Sequence, residues 1–99
     1  MIKRRFDSIF YEERFKAVLK KYKVKCIAVF GSYAFGRATQ KSDIDFLVEF
    51  HKGASLLDMV GLKLDLQALL KRNVDVATPK SLSRYIRRHV MEQAVYLYE

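Results

Sequence analysis

The residues of this chain best suited to chemistry are two aspartates spaced two apart in an apolar run, Asp43-Ile44-Asp45-Phe46-Leu47-Val48. A strand alternates its side chains between faces, so Asp43 and Asp45 project together while Ile44 and Phe46 point the other way. Two carboxylates side by side repel. A divalent cation between them removes the repulsion, and hard oxygen donors are what magnesium takes. The competing reading is a solvated strand edge. Upstream, the run Cys26-Ile27-Ala28-Val29-Phe30 ends in Gly31-Ser32. Glycine directly after a buried strand lets the backbone turn with positive φ and brings main-chain N–H groups close to a ligand, while serine adds a hydroxyl donor and a helix N-cap. Phosphate is the natural guest of such a turn. Ten residues separate Ser32 from Asp43, giving the form G-S-x10-D-x-D. Chance would set those four letters in a chain of this length on the order of once in a thousand.

Positioning these groups calls for a small sheet. Val24 to Phe30 reads as a buried central strand, Ile44 to Phe50 as a second, and Asn73 to Ala77 as a third that sets Val74 and Val76 on one face and Asp75 on the other. If the second and third strands are neighbours, Asp75 aligns with Asp43 and Asp45. Tyr33 to Arg37 reads as a short helix with its N-terminus toward the phosphate, and Thr39 to Ser42 as a polar loop. Glu49 shares the strand face of Asp43 and Asp45. His51 reads as a surface turn residue and His89 sits one position from the apolar stripe, and neither is given a catalytic part.

Helices must cover the sheet. From Asp7 to about Lys23, Tyr11, Phe15, Val18, Leu19 and Tyr22 recur along one helical face. Ser55-Leu56-Leu57-Asp58 has the form of a capping box and opens a helix to about Lys71. Its inward stripe is predicted to be Leu57, Val60, Leu64 and Ala68, widened by Leu56, Leu66, Leu69 and Leu70, with Gly61 a mild weakness. Pro79 ends the third strand. Ser81 is expected to cap a last helix with Leu82, Ile86, Val90 and Leu97 inward and Arg84, Arg87 and Arg88 outward.

Ninety-nine residues suffice for one domain, residues 1–99, with one modest core. An apolar fraction of 51% excludes a disordered chain. A formal charge of +8 points to an anionic partner, whether nucleotide, RNA or an acidic protein surface, against the plainer reading of a soluble basic surface. Cys26 is the only cysteine, which excludes an intramolecular disulfide and fits a reducing compartment. No run approaches the roughly 18 apolar residues of a membrane span, and a cytoplasmic protein is expected.

With Gly31-Ser32, the ten-residue spacer, Asp43-Ile44-Asp45 and Val74-Asp75-Val76 in place, the chain resembles the minimal nucleotidyltransferases (MNT domains) of the DNA polymerase β superfamily, antitoxin components of HEPN/MNT pairs. The resemblance extends over nearly the whole chain, to Ala94-Val95-Tyr96-Leu97-Tyr98-Glu99. It implies an α+β fold, a single polymerase-β-like domain with a small mixed sheet of three or four strands covered by helices. It also implies two magnesium ions on Asp43, Asp45 and Asp75, with Gly31 and Ser32 holding the β- and γ-phosphates of ATP. Asp75 would help activate an acceptor hydroxyl, a tyrosine of a partner HEPN toxin, for transfer of AMP. Phe35 stands where many relatives carry an arginine. That departure sustains the alternative of an antitoxin that blocks its toxin sterically over a vestigial nucleotide site. Polymerisation onto RNA and antibiotic modification are less favoured, since both usually need a further domain. The oligomeric state is left open.

Overall fold

The computed structural model describes residues 8–31 and 43–98. A short 3-10 turn, Ser8–Tyr11, leads into helix α1, Glu13–Lys21, and then strand β1, Val24–Phe30. Strand β2, Ile44–Phe50, is followed by helix α2, Leu56–Leu70, and strand β3, Val74–Ala77. A second 3-10 turn, Pro79–Ser81, precedes helix α3, Arg84–Gln93, and strand β4, Val95–Tyr98. The strands lie in the order β3-β2-β1-β4, with β2 antiparallel to β1, β1 antiparallel to β4, and β2 parallel to β3. This is the mixed α+β sheet expected, with four strands.

One face of the sheet builds the core. Ile27, Val29, Ile44, Phe46, Val48 and Val74 pack there against Phe10, Phe15 and Leu19 from the N-terminal segment and against Leu62 and Leu66 from α2. The Phe10 ring lies 5.3 Å from Phe15 and 6.1 Å, edge-on, from Phe46. A bulge at Lys25 corrects the parity of β1: Val24 pairs with Phe50 and Cys26 with Glu49, so Val24 joins Ile27 and Val29 inside while Lys25 stays exposed.

Three expectations need correction. The N-terminal helix is shorter than its apolar spacing suggested, because Ser8–Tyr11 is a tighter turn that aims Phe10 inward and leaves Tyr11 exposed. In α2 the buried residues are Leu62 and Leu66, whereas Leu56, Leu57, Val60, Leu64 and Ala68 are exposed. The predicted stripe is therefore the outward one. At the C-terminus, Ser83 rather than Ser81 caps α3, accepting from the Tyr85 N–H. Pro79 starts a 3-10 turn instead, in which Thr78 and Ser81 cap each other reciprocally. Leu97 lies on β4, since the β-favouring run Val95-Tyr96-Leu97-Tyr98 pairs with β1.

The Ser55–Asp58 capping box is present, with the Ser55 N–H donating to Asp58 Oδ2 at 2.9 Å. Gly61 has a packing reason. The Tyr22 ring lies where a Cβ would stand, and Tyr22 Oη donates to Asp65 Oδ2 at 2.7 Å, tying α1 to α2.

Candidate active site

Register brings the chemistry together at one end of the sheet. Parallel pairing sets Asp45 directly beside Asp75, and antiparallel pairing sets Phe30 beside Asp45 on the other side. Ile44 and Phe46 point into the core, so Asp45 and Asp75 occupy the opposite face, with Asp43 just ahead of β2. Leu47, next on that face, is buried and pairs with Ala28, which confines the charged patch to the start of the strand.

Gly31 closes the site from β1. Its φ of +72° is a conformation that glycine adopts freely, and a Cβ built there would lie 2.6 Å from Asp45 Oδ2. The glycine is thus needed twice: for the turn, and for the close approach of the Asp45 carboxylate. The sequence signals the turn alone. Ser32 lies outside the described residues, as do Phe35, the rest of 33–37 and the loop at 39–42.

Asp45 is half-buried, while Asp43 and Asp75 are exposed. Partial burial raises the Asp45 carboxyl above its ordinary value, and the charges of Asp75 and Asp43 and a hydrogen bond with Asp75 push the same way. Like charges on neighbouring strands thus oppose ionisation of Asp45. Three hard oxygen donors in one another's field suit magnesium by chemistry. Among the described residues, no three His, Cys, Asp or Glu side chains converge into a preassembled metal cluster.

Other candidates fall elsewhere. Glu49 sits four residues along β2, roughly 13 Å from Asp45 at the usual strand rise, in an open cleft with Phe50, Thr78, Pro79 and Lys80. Arg84 and Arg88 are exposed, and Arg88 pairs with Glu92 at 3.1 Å. Arg87 is half-buried, contrary to its expected outward place: Nη2 donates to the Leu82 carbonyl at 3.1 Å, and Nε has no partner among the described residues. His51 and His89 are exposed. Among the described residues no helix is long and apolar enough to cross a membrane.

Comparison with known proteins gives concordant results. The family model described as "Polymerase beta, Nucleotidyltransferase" matches residues 13–99. The protein adenylyltransferase MntA of Thermococcus cleftensis is 39% identical over 82 residues, covering 83% of each chain. A solved minimal nucleotidyltransferase superposes with a TM-score of 0.75 at 35% identity, over 91% of this chain and 95% of that one. A chain from a toxin-antitoxin structure with AMP-PNP superposes with a TM-score of 0.71 at 26% identity, over 87% of this chain and 71% of that one.

Proposed function

Since the chain belongs to the polymerase beta nucleotidyltransferase family, we propose that it transfers AMP from ATP to a tyrosine hydroxyl of a HEPN-domain toxin and so acts as an antitoxin. The observation that carries this reading is the register that sets Asp45 beside Asp75 at the sheet end where Gly31 turns. Support for the acceptor comes from the relatives: one is a protein adenylyltransferase, and another is part of a toxin-antitoxin structure with an ATP analogue.

In this mechanism Asp43, Asp45 and Asp75 would hold magnesium, two ions in all, which when bound would neutralise triphosphate charge and ease ionisation of the acceptor hydroxyl. Gly31 and Ser32 are the residues assigned to hold the β- and γ-phosphates, through main-chain N–H groups and a hydroxyl. Asp75, exposed on an edge strand, accepts the proton of the incoming tyrosine. The tyrosine oxygen then bonds to the α-phosphorus, the bond from that phosphorus to the bridging oxygen breaks, and pyrophosphate leaves in line. The catalytic domain of this reading takes in residues 13–99, the span of the family match, and a cytoplasmic site of action goes with its nucleotide substrate.

The test mixes the protein with its toxin and ATP labelled at the α-phosphate. The toxin should acquire label, and Asp43→Ala/Asp45→Ala should abolish labelling while the complex still forms. The second reading, steric neutralisation, rests on Phe35, where the family resemblance leads one to expect an arginine. It takes over if the double variant neutralises the toxin as well as the parent does.

A further inference from the structure

We propose that the protein self-associates through the outward face of α2, two copies pairing about a two-fold axis with their α2 helices antiparallel. The helix carries apolar residues on two opposite sides. Leu62 and Leu66 are buried in the core, while Leu56, Leu57, Val60 and Leu64 are 74%, 81%, 47% and 56% exposed. A helix with two apolar faces separated by polar residues has a second face to cover.

The stripe Leu57-Val60-Leu64-Ala68 follows i, i+3, i+4 spacing and contains no charge. The helix's acidic residues are engaged at its flank toward the rest of the molecule: Asp58 in the capping box and beside Lys23, and Asp65 with Tyr22 and Lys21. Lys63, the helix's one cation, is half-buried beside the ridge at i+3 from Val60 and does not lie on it.

Two arguments favour a second copy as occupant. The first is self-complementarity. In an antiparallel pair the ridge meets itself reversed, so Leu57 faces Ala68 of the other copy and Val60 faces Leu64. Large residues then oppose smaller ones along the whole contact, as an isologous interface requires. The second is area. Leu57, Val60 and Leu64, with Leu56 at the flank of the ridge, present on the order of 450 Å² of apolar surface, the size of the largest patch on a typical monomer, which is often a functional one. Two copies, with Ala68 and the aliphatic flanks, bury on the order of 1,000 Å², where specific interfaces begin.

Position supports the same choice. The stripe points away from the sheet on the side opposite Asp45 and Asp75, so a body held there leaves the carboxylates open. An acceptor hydroxyl has to approach from the other face.

Sedimentation velocity on the full chain, from micromolar to sub-millimolar concentration, tests the proposal without reference to catalysis. The parent should sediment with twice the chain mass, and more completely as salt screens the +8 charge of each copy. Leu57→Glu, at a fully solvated position of the monomer, should sediment as a monomer with an unchanged circular-dichroism spectrum. Leu57→Lys and Ala68→Glu, each monomeric alone, should pair when mixed, which reports the antiparallel register. A parent that stays monomeric throughout overturns the proposal, as does a dimer that survives Leu57→Glu. A stripe covered only when the acceptor protein is added overturns it too, and assigns the surface to that protein while leaving the nucleotidyl-transfer reading intact.

Discussion

On one side of β2, Ile44, Phe46 and Val48 are enclosed by Phe10, Phe15 and the two helices. On the other, one residue out of step, Asp45 stands beside Asp75, with Asp43 just ahead of the strand, all with access to solvent. The first face is governed by removal of apolar surface from water. The second holds like charges in proximity, which opposes folding until something positive arrives. A single strand therefore supplies both the stability of the sheet and a local cost against it, separated only by the alternation of side chains. Substitutions on the two faces should consequently differ in sign as well as in size.

The largest effect belongs to the core face. Phe46→Ala removes a ring packed on Phe10 and Phe15 and should lower stability by about 3–5 kcal/mol, comparable to much of the total for a small domain. Urea denaturation measures it. A loss under about 1 kcal/mol would show that the core collapses around the gap and that the two faces are less distinct than described.

Gly31→Ala probes the junction between the faces. The added methyl meets Asp45 Oδ2 and forces a positive φ on alanine, for an expected loss of about 1–3 kcal/mol. Displacing the carboxylate should also reduce AMP transfer by about 100-fold. In an Asp45→Ala background the clash disappears and only the backbone strain remains, so the loss should be smaller. Equal losses in both backgrounds would show that Gly31 matters for the turn alone.

Much of this arrangement was legible in the sequence because period-2 alternation and turn residues are local signals. The bounds of β2 and the placement of Asp45 and Asp75 away from the valines follow from them directly, while β1 is read from a continuous apolar run ending in Gly31. What could not be read was the choice between two equivalent surfaces. In α1, charged residues occupy the outer side, and Phe15 and Leu19 mark the inward one without ambiguity. In α2, periodicity finds one stripe at Leu57, Val60 and Leu64 and another at Leu62 and Leu66, and nothing local says which faces the sheet. Tertiary packing decides it. Gly61 and Gly31 were visible as glycines, but the neighbours that require them, Tyr22 and Asp45, lie far along the chain. Strand β4 was missed because its pairing with β1 spans most of the sequence, whereas the helical spacing just before it is local.

The smallest expected effect has the opposite sign. Asp45→Asn removes one charge from the cluster and keeps a side chain of the same shape, so the metal-free protein should become more stable at neutral pH by up to about 1 kcal/mol, the scale of a like-charge cross-strand contact. The pH dependence follows from the raised Asp45 carboxyl, which is disfavoured in its charged form on folding by burial first and by Asp75 and Asp43 next. Its cost is fully present above the folded value, declines as pH falls through that value, and is gone below the ordinary 3.8, where both folded and unfolded chains are protonated. The advantage of the asparagine variant should shrink over the same window. Magnesium should reverse the ranking at neutral pH, because the parent gains a ligand-linked stabilisation that the variant largely lacks. Melting curves in chelator and in magnesium, at neutral and acid pH, give all four corners. If Asp45→Asn melts lower than the parent in chelator at neutral pH, the carboxylate is holding the fold together, and the division of labour across β2 does not hold.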